Sequence, residues 1–219
     1  HHGSGKTTLA EALLHTAGAV ARRGRVEDGT TTCDHEPEEH ARGMSLSLAL
    51  APIEWRGHKI NLLDCPGEAD CAGALHAALA VADLAVVVVS AVDGVQAQTE
   101  AAWELCHDLG VPRLLFVNAL DRERADFDRT LAELRDRFGE HVTPLELPIG
   151  RAGDLHGLVD VLREDADLYD DGTATHHNPI PPELVEREHE VRDAVVEEIV
   201  AGDDALLERF LSDDVPSVA

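Results

Sequence analysis

The first part of the chain carries apolar residues at the spacing of a helix. They recur three or four positions apart, at Leu9, Leu13, Leu14 and Ala17. This spacing predicts an amphipathic helix that begins at Lys6. Residues 24–44, by contrast, are polar and show no period, which predicts a mobile loop. Long loops without secondary structure of their own are usually functional.

Strand-like and helical patterns then alternate along the chain. Leucine stands at every second position from 46 to 50 within residues 45–55, and residues 59–64 include Ile60, Leu62 and Leu63. A turn at Arg56-Gly57-His58 would join these two strands into a hairpin. The elements predicted after the hairpin are a strand at 84–90, a helix at 99–109, a strand at 113–118 and a helix at 127–138. This alternation predicts an α/β fold, a doubly wound domain whose sheet is mostly parallel.

The pattern changes after residues 142–148, where Gly-rich and acidic stretches replace the regular alternation. A proline-rich break follows at 178–182, and beyond it a charged helix at 183–200 and a shorter helix at 205–211 are predicted. We therefore predict a boundary near Gly150. Residues 1–150 would form the doubly wound domain, and residues 151–219 would form part of a smaller α+β unit.

The composition is that of a folded and strongly acidic protein. Of the 219 residues, 44% are hydrophobic and 28% are charged, and the net charge is −25. So acidic a chain lacks the basic surface that binds nucleic acids by counterion release, which argues against sequence-specific DNA binding. The longest apolar runs are far shorter than a bilayer span, and the amino-terminal residues show no secretion pattern. We therefore expect no membrane association and a cytoplasmic location.

The first eight residues match the phosphate-binding motif GxxxxGK[ST] except for its opening glycine. The candidate nucleotide-binding residues in this loop are Gly3, Ser4, Gly5, Lys6, Thr7 and Thr8. A phosphate would bind at the helix N-terminus, where free amides and the helix dipole favour an anion. Lys6 would place its charge between the β- and γ-phosphates, and the Thr7 hydroxyl would coordinate Mg²⁺. The opening glycine and the sheet's first strand, which normally precedes such a loop, are expected to lie outside the 219 residues.

Two further motifs each follow an apolar strand. Asp64 and Gly67 fit DxxG, and Asn118 and Asp121 fit NxxD. Because the carboxyl ends of parallel strands share one edge of a sheet, both motifs should lie beside the phosphate loop. Asp64 would hold Mg²⁺ through water, and the Gly67 amide would contact the γ-phosphate. Asp121 would accept two hydrogen bonds that guanine can donate and adenine cannot, so the predicted ligands are GTP or GDP with Mg²⁺.

Each of these motifs also has a simpler structural explanation. A glycine-rich turn before a helix occurs for packing reasons, and the aspartate of an isolated NxxD often caps a helix. A P-loop ATPase or kinase would also account for the first motif, although the NxxD sequence argues against it. The three motifs in this order favour a GTP-binding protein.

Longer stretches resemble elongation factor G and its close relatives. The matching residues before the hairpin are Val26, Asp28, Gly29, Thr32, Asp34, Glu39, Arg42, Gly43, Met44 and Ser45, and residues 94–100, 121–127 and 147–150 contain further matches. The resemblance implies a translational GTPase that acts on the ribosome, with Ser45 in place of the threonine that contacts Mg²⁺ and the γ-phosphate. Residues 151–219 would then belong to an insert subdomain, which in this family faces the ribosomal stalk proteins.

Three positions depart from the pattern of that family. Glu68 follows DxxG, where the family has a histidine that positions the attacking water, so Glu68 is the candidate catalytic residue by position. A carboxylate beside a γ-phosphate is electrostatically unfavourable, and a ribosome-associated switch with little hydrolysis is therefore an alternative to an enzyme. Ala119 replaces the lysine of NKxD and Gly3 replaces an aspartate, which should weaken guanine binding and any cation site there. A ribosome protection factor of the tetracycline-resistance type would share this domain and is a third alternative.

Overall fold

The computed structural model describes residues 1–170, 173–202 and 204–210. The chain combines helices and strands and separates into two compact units, His1–Ala119 and Leu120–Ala219. The boundary near Gly150, which rests on the change of pattern along the chain, stays a prediction. Across the residues described, no helix is both long and apolar enough to cross a membrane.

The first unit contains the elements that frame the predicted phosphate loop. Its helices are α1 (Lys6–Thr16), α2 (Pro37–Arg42), α3 (Ala72–Leu79) and α4 (Ala97–Asp108), and its strands are β1 (Ala49–Trp55), β2 (His58–Asp64), β3 (Ala85–Ser90) and β4 (Arg113–Asn118). The predicted helix after Lys6, both strands between 84 and 118, and the helix between those strands are confirmed. No pattern predicts α3, because its alanine-rich sequence shows little contrast between two faces.

The strands β1 and β2 form the predicted antiparallel hairpin, in which Trp55 pairs with His58. The two residues between them, Arg56 and Gly57, have φ angles of 48° and 80°. Positive φ at both central residues is what a two-residue hairpin turn of type I′ requires.

The buried face of β1 differs from the one that the leucine alternation suggests. Leu50 is 64% exposed, whereas Ala49, Ala51 and Ile53 are buried in one cluster with residues of α1. The alternation therefore predicts a strand here, although the observed strand begins at Ala49 and not at residue 45, and it does not indicate the side that faces the core. Alanine gives a weak hydrophobic signal, and its small side chain lets the helix approach the strand closely.

The strands β3 and β4 pair in parallel, in register from Ala85 opposite Arg113 to Ser90 opposite Asn118. A buried cluster of Leu79, Cys106 and Val111 packs α3 and α4 together beside this pair. Parallel neighbours need a crossover connection, which α4 supplies here. The predicted α/β class is thus confirmed, and the parallel pairing places the ends of β3 and β4 at one edge.

The polar segment 24–44 is not free of secondary structure, which corrects the prediction of a loop. It contains α2, which begins with a capping box between Glu36 and Glu39 and has Pro37 in its first turn. Both features are sequence signals for the start of a helix. The sequence Glu-Pro-Glu-Glu could therefore have revealed this helix, although six residues are too few to show a clear apolar period.

The second unit is an antiparallel sheet with helices. Its elements are α5 (Phe127–Phe138), β5 (Glu146–Ile149), β6 (Gly157–Asp160), β7 (Asp165–Asp170), β8 (Thr173–Asn178), α6 (Val185–Ala201) and α7 (Asp204–Phe210). The four strands are paired in chain order, and Val195 of α6 joins the buried core of Leu147, Val159 and Ala166. The predicted helices at 127–138 and 183–200 are confirmed. The predicted helix at 205–211 corresponds to α7, and its last residue, Leu211, lies outside the described residues.

Candidate functional site

The predicted phosphate loop leads directly into the N-terminus of α1. Gly5 precedes this helix with a φ of 89°. The Lys6 ammonium donates a hydrogen bond to the His1 carbonyl at 2.8 Å, and the Ser4 hydroxyl donates to the same carbonyl at 2.9 Å. The loop is thereby closed around the start of the helix, where free amides and the helix dipole favour an anion.

Asn118, the first residue of the NxxD motif, lies against this loop. Its Nδ2 donates a hydrogen bond to the Ser4 carbonyl at 2.8 Å. A Cβ atom built on Gly5 would overlap with the same Nδ2, so position 5 has no room for a side chain. The structure therefore brings the end of β4 into contact with the phosphate loop.

Gly67 of the DxxG motif also approaches the loop closely. A Cβ atom built on it would lie 2.5 Å from Lys6 Nζ and 2.7 Å from the backbone nitrogen of His2. The residue after the motif, Glu68, places its Oε1 3.2 Å from His2 Nδ1. The DxxG and phosphate loops are thus in contact through both backbone and side chains.

The side chains of Thr7, Ser45 and Asp34 form a chain of polar contacts. The Thr7 and Ser45 hydroxyl oxygens are 3.0 Å apart, and the Ser45 hydroxyl donates to Asp34 Oδ1 at 2.6 Å. The second carboxylate oxygen of Asp34 accepts a hydrogen bond from Thr31 at 3.1 Å. Oxygen ligands of this kind suit a hard cation such as Mg²⁺.

Asp64 is buried at the end of β2, and its Oδ2 has no hydrogen-bond partner in the described parts of the chain. Burial raises the pKa of Asp64, and hydrogen bonding to Thr7 and the charge of Lys6 counteract part of this increase. Burial also lowers the pKa of Lys6, which the charge of Asp64 opposes. A buried carboxylate oxygen without a partner is one that a divalent cation would satisfy, so the residues fit Mg²⁺.

Glu11 of α1 fixes the start of the segment that carries Asp34. Its side chain is buried and accepts hydrogen bonds from the amides of Gly24 at 3.0 Å and Thr32 at 2.5 Å. A Cβ atom built on Gly24 would lie only 2.7 Å from Glu11 Oε2. The backbone at position 24 therefore approaches the carboxylate too closely for a side chain. The carboxylate thus joins the helix of the phosphate loop to residues 24–32.

Glu39 of α2 fixes the end of the same segment. Its buried carboxylate accepts hydrogen bonds from the amides of Leu46 at 2.9 Å and Ser47 at 3.0 Å. Burial by itself would raise the pKa of Glu39, but the hydrogen bonds from the backbone and from the Ser47 hydroxyl outweigh it and lower the pKa to about 2. Ser45 immediately precedes these anchored residues.

The three motifs did not indicate Asp34, Glu11 or Glu39 as parts of the site. Asp34 and Glu39 lie in the stretch that resembles elongation factor G, so the resemblance carried a signal for them. For Glu11 the signal was a glutamate on the buried face of the predicted helix, one turn after Thr7. A buried charge on an apolar face needs partners, and here the partners are backbone amides.

Other predicted site residues lie in exposed positions. Gly3 and Thr8 are exposed in the first unit, and the Glu68 side chain is 40% exposed. Asp121 belongs to the second unit, where it is exposed. Its predicted contact with guanine stays a prediction.

The first unit thus combines a helix N-terminus, an ammonium group, two adjacent hydroxyls and a buried carboxylate. Within the described residues there is no group of three or more His, Cys, Asp or Glu that could hold a metal ion. A cation at Thr7, Ser45 and Asp64 would therefore need further oxygen ligands. Mg²⁺ commonly takes these from the phosphates of a bound nucleotide.

Comparison with known proteins identifies the family. The family model described as the elongation factor Tu GTP binding domain matches residues 1–212. Elongation factor G of Granulibacter bethesdensis is 37% identical over 213 residues, which are 96% of this chain and 31% of that protein. A crystal structure of a protein from Thermus thermophilus matches with a TM-score of 0.91 at 43% identity, and the match covers 98% of this chain and 32% of that one.

The chain spans less than a third of the length of these relatives. Its α/β architecture, with a parallel strand pair next to a phosphate-loop helix, is that of a P-loop GTPase domain. The chain therefore belongs to the translational GTPase family, as a GTP-binding domain similar to that of elongation factor G.

Proposed function

We propose that this chain binds GTP with Mg²⁺ and hydrolyses it, as the GTP-binding domain of a translational GTPase that acts on the ribosome. The contacts among the phosphate loop, Gly67 and Asn118 support this function most directly. They bring Gly67 of DxxG and Asn118 of NxxD to the phosphate loop, which supports a nucleotide site at the N-terminus of α1.

Each residue has a defined role in the proposed site. Gly3, Ser4, Gly5 and Thr8 form the loop around the phosphates, and Lys6 neutralises the β- and γ-phosphates. Thr7, Ser45 and Asp64 hold Mg²⁺, which supplies charge stabilisation to the phosphates when bound. The Gly67 amide contacts the γ-phosphate, so the site distinguishes GTP from GDP.

Nucleotide titration tests this assignment, with the chain's second lysine as a matched control. We expect Lys6→Ala to weaken GTP binding about 100-fold, because a charge-assisted contact with phosphate is lost. Lys59 is exposed on β2, and Lys59→Ala should bind like the parent protein. GTP affinity that is unchanged in Lys6→Ala would contradict the proposed phosphate site.

Asn118 and Asp121 carry the proposed preference for guanine. Asp121 accepts hydrogen bonds from the N1 and N2 donors of guanine, and Asn118 supports the loop through its contact with Ser4. Competition with excess ATP should leave bound GTP in place. In Asp121→Ala, GTP should lose most of its advantage over ATP, whereas the exposed Asp108→Ala should retain it.

A ribosome-associated switch with little or no hydrolysis is the second candidate. Glu68 favours it, because a carboxylate replaces the family's histidine next to the DxxG motif. Phosphate release with and without ribosomes separates the two functions. Stimulation by ribosomes supports the enzyme, and retained GTP binding without phosphate release supports the switch.

We further propose that residues 151–219 belong to an insert subdomain that contacts the ribosomal stalk proteins, and that the protein acts in the cytoplasm. The antiparallel sheet and the acidic character of this region support a separate contact surface. Crosslinking on the ribosome, followed by mass spectrometry, should join residues of this region to stalk proteins. Crosslinks restricted to other ribosomal proteins would contradict this contact.

A further inference from the structure

His2 and Glu68 form a pair that links the phosphate loop to the residue after DxxG. His2 Nδ1 lies 3.2 Å from Glu68 Oε1, and the two side chains are 55% and 40% exposed. The pair does not depend on side-chain reach alone, because the backbone nitrogen of His2 would lie only 2.7 Å from a Cβ atom on Gly67. The neighbouring backbones are therefore held together where the two side chains meet.

The carboxylate determines which nitrogen of the histidine carries the proton. An ionised carboxylate repels a nitrogen lone pair at this distance and attracts an N–H group, so the ring is favoured with its proton on Nδ1, which faces Glu68. In the neutral ring, Nε2 then has the free lone pair and can accept a hydrogen bond from water. A carboxylate that orients an imidazole in this way is a recurring arrangement in hydrolytic sites.

The His2–Glu68 pair lies next to the groups that are proposed to contact the γ-phosphate. Gly67, which precedes Glu68, approaches Lys6 Nζ so closely that a Cβ atom on it would lie 2.5 Å away. Lys6 and the Gly67 amide are the groups assigned to the γ-phosphate above. His2 also lines an open polar cavity of about 330 Å³ with His1, Asp93, Gln96 and Gln98, so water can reach it.

We propose that His2, oriented by Glu68, positions the water that attacks the γ-phosphate. The histidine of this site then comes from the phosphate loop and not from the position after DxxG. Glu68 is a positioning residue that acts through His2, and its carboxylate is directed to the imidazole. The inference rests on the proposed function, since it concerns GTP hydrolysis at the same site.

The reaction balances without any further reactant. The water oxygen forms a bond to the γ-phosphorus, and the bond from that phosphorus to the β–γ bridging oxygen breaks. The electron pair of the broken bond stays on the β-phosphate of GDP. One proton of the water remains on its oxygen and the other passes to a γ-phosphate oxygen, which gives dihydrogen phosphate. His2 accepts a hydrogen bond from the water and takes no net proton.

The test compares substitutions of the pair with substitutions of exposed neighbours. The variants are His2→Ala, Glu68→Gln and Glu68→Asp, and the matched controls are His58→Ala and Asp70→Asn, whose residues are exposed in the same unit. Single-turnover hydrolysis at saturating Mg²⁺ and GTP gives the rate, and titration gives the GTP affinity. We expect His2→Ala to lower the rate about 100-fold, because the attacking water loses the group that positions it.

The positioning role of Glu68 predicts a graded result. Glu68→Gln should lower the hydrolysis rate with little change in GTP affinity. Glu68→Asp keeps the carboxylate and should retain much of the parent rate. A second readout does not depend on activity: the ¹⁵N spectrum of His2 should show the tautomer protonated at Nδ1 in the parent protein. In Glu68→Gln the tautomer protonated at Nε2 should increase.

The outcomes separate this inference from the proposed function. Hydrolysis that persists unchanged in His2→Ala overturns the inference and leaves the GTPase function intact. GTP binding without hydrolysis by the parent protein overturns the inference and supports the switch. Absence of GTP binding in the parent protein overturns the proposed function and the inference with it.

Discussion

Thr7 and Ser45 place their hydroxyl oxygens 3.0 Å apart, although 38 positions separate them in the sequence. Ser45 in turn donates to Asp34, and Glu39 anchors the residues that follow Ser45. The start of α1 and the segment after α2 therefore meet at one point. A cation bound by both hydroxyls would stabilise this contact.

Loss of the Ser45 hydroxyl should weaken the binding of GTP only when Mg²⁺ is present. We expect Ser45→Ala to reduce affinity about tenfold in Mg²⁺, because the hydroxyl proposed as a metal ligand is removed. Ser45→Thr keeps the hydroxyl and should bind like the parent protein. Calorimetric titration in Mg²⁺ and in EDTA measures both variants, and equal loss in the two buffers would argue against a role in metal binding.

The contact between Gly5 and Asn118 predicts an unequal effect of two Gly→Ala substitutions. Both Gly5 and Gly18 have positive φ, at 89° and 73°, but only position 5 has Asn118 within 4 Å of a new Cβ. Gly18→Ala should therefore cost roughly 1 kcal/mol of unfolding free energy from backbone strain alone. Gly5→Ala should cost clearly more, because Asn118 must also move. Denaturant unfolding of both variants measures the difference, and equal losses would contradict the crowding at Gly5.

Glu39 should make the stability of the first unit sensitive to acid. Its pKa in the folded protein is about 2, well below the ordinary value of 4.5. The carboxylate therefore contributes stability above about pH 4.5, and that contribution is lost as the pH falls through about 2. This lowering of the pKa corresponds to a contribution of roughly 3 kcal/mol to the unfolding free energy at neutral pH.

The variant Glu39→Gln should be less stable than the parent protein at pH 6, and the difference should shrink towards pH 3. Glu38 is exposed in the same helix, so Glu38→Gln is the matched control and should follow the parent protein. Urea unfolding at several pH values provides the measurement. A difference between Glu39→Gln and the parent that does not vary with pH would rule out the buried carboxylate as its source.

Glu188 in α6 should have the opposite dependence on pH. It is fully buried, neither carboxylate oxygen has a hydrogen-bond partner in the described ranges, and a ring nitrogen of His189 lies 3.7 Å from Oε2. Burial raises the pKa of Glu188 above its ordinary value. The charged form is thus disfavoured in the folded state, and stability should decline as the pH rises above about 4.5.

Removal of this charge should stabilise the second unit. We expect Glu188→Gln to raise the unfolding free energy by roughly 1–3 kcal/mol at pH 8, since an ionised carboxylate without hydrogen-bond partners is costly to bury. The gain should diminish near pH 4. Thermal unfolding measures this gain, with Glu190→Gln as the control because Glu190 is exposed in the same helix. A Glu188→Gln protein that is less stable than the parent at pH 8 would show that the buried carboxylate has stabilising partners.

Local patterns were sufficient for much of the fold. The periods of the apolar residues gave α5 at its observed limits, Phe127–Phe138, and placed β4 at Arg113–Asn118. They succeeded because helix and strand periods depend on residues close together in the chain. The same patterns did not indicate the buried face of β1, because the face that is buried depends on α1, which lies far away in the sequence.

The residues of the candidate site also divide into those that local sequence indicates and those that only the folded structure reveals. Gly5, Lys6, Asp64, Gly67 and Asn118 were found from short motifs, since the geometry of a phosphate loop requires particular residues at fixed spacing. Glu11 and the pairing of His2 with Glu68 had no such motif. Their roles come from backbone amides and side chains contributed by distant segments.

The sequence by itself determined the type of domain, the α1 helix, the β1–β2 hairpin and the elements from β3 to α5, and it indicated the three motifs of the candidate site. Only the tertiary structure decided that Glu11 and Glu39 hold the segment with Ser45, and that Glu68 faces a histidine. The physical reason is that a buried carboxylate must find partners, and which partners it finds depends on how the folded chain brings distant residues together.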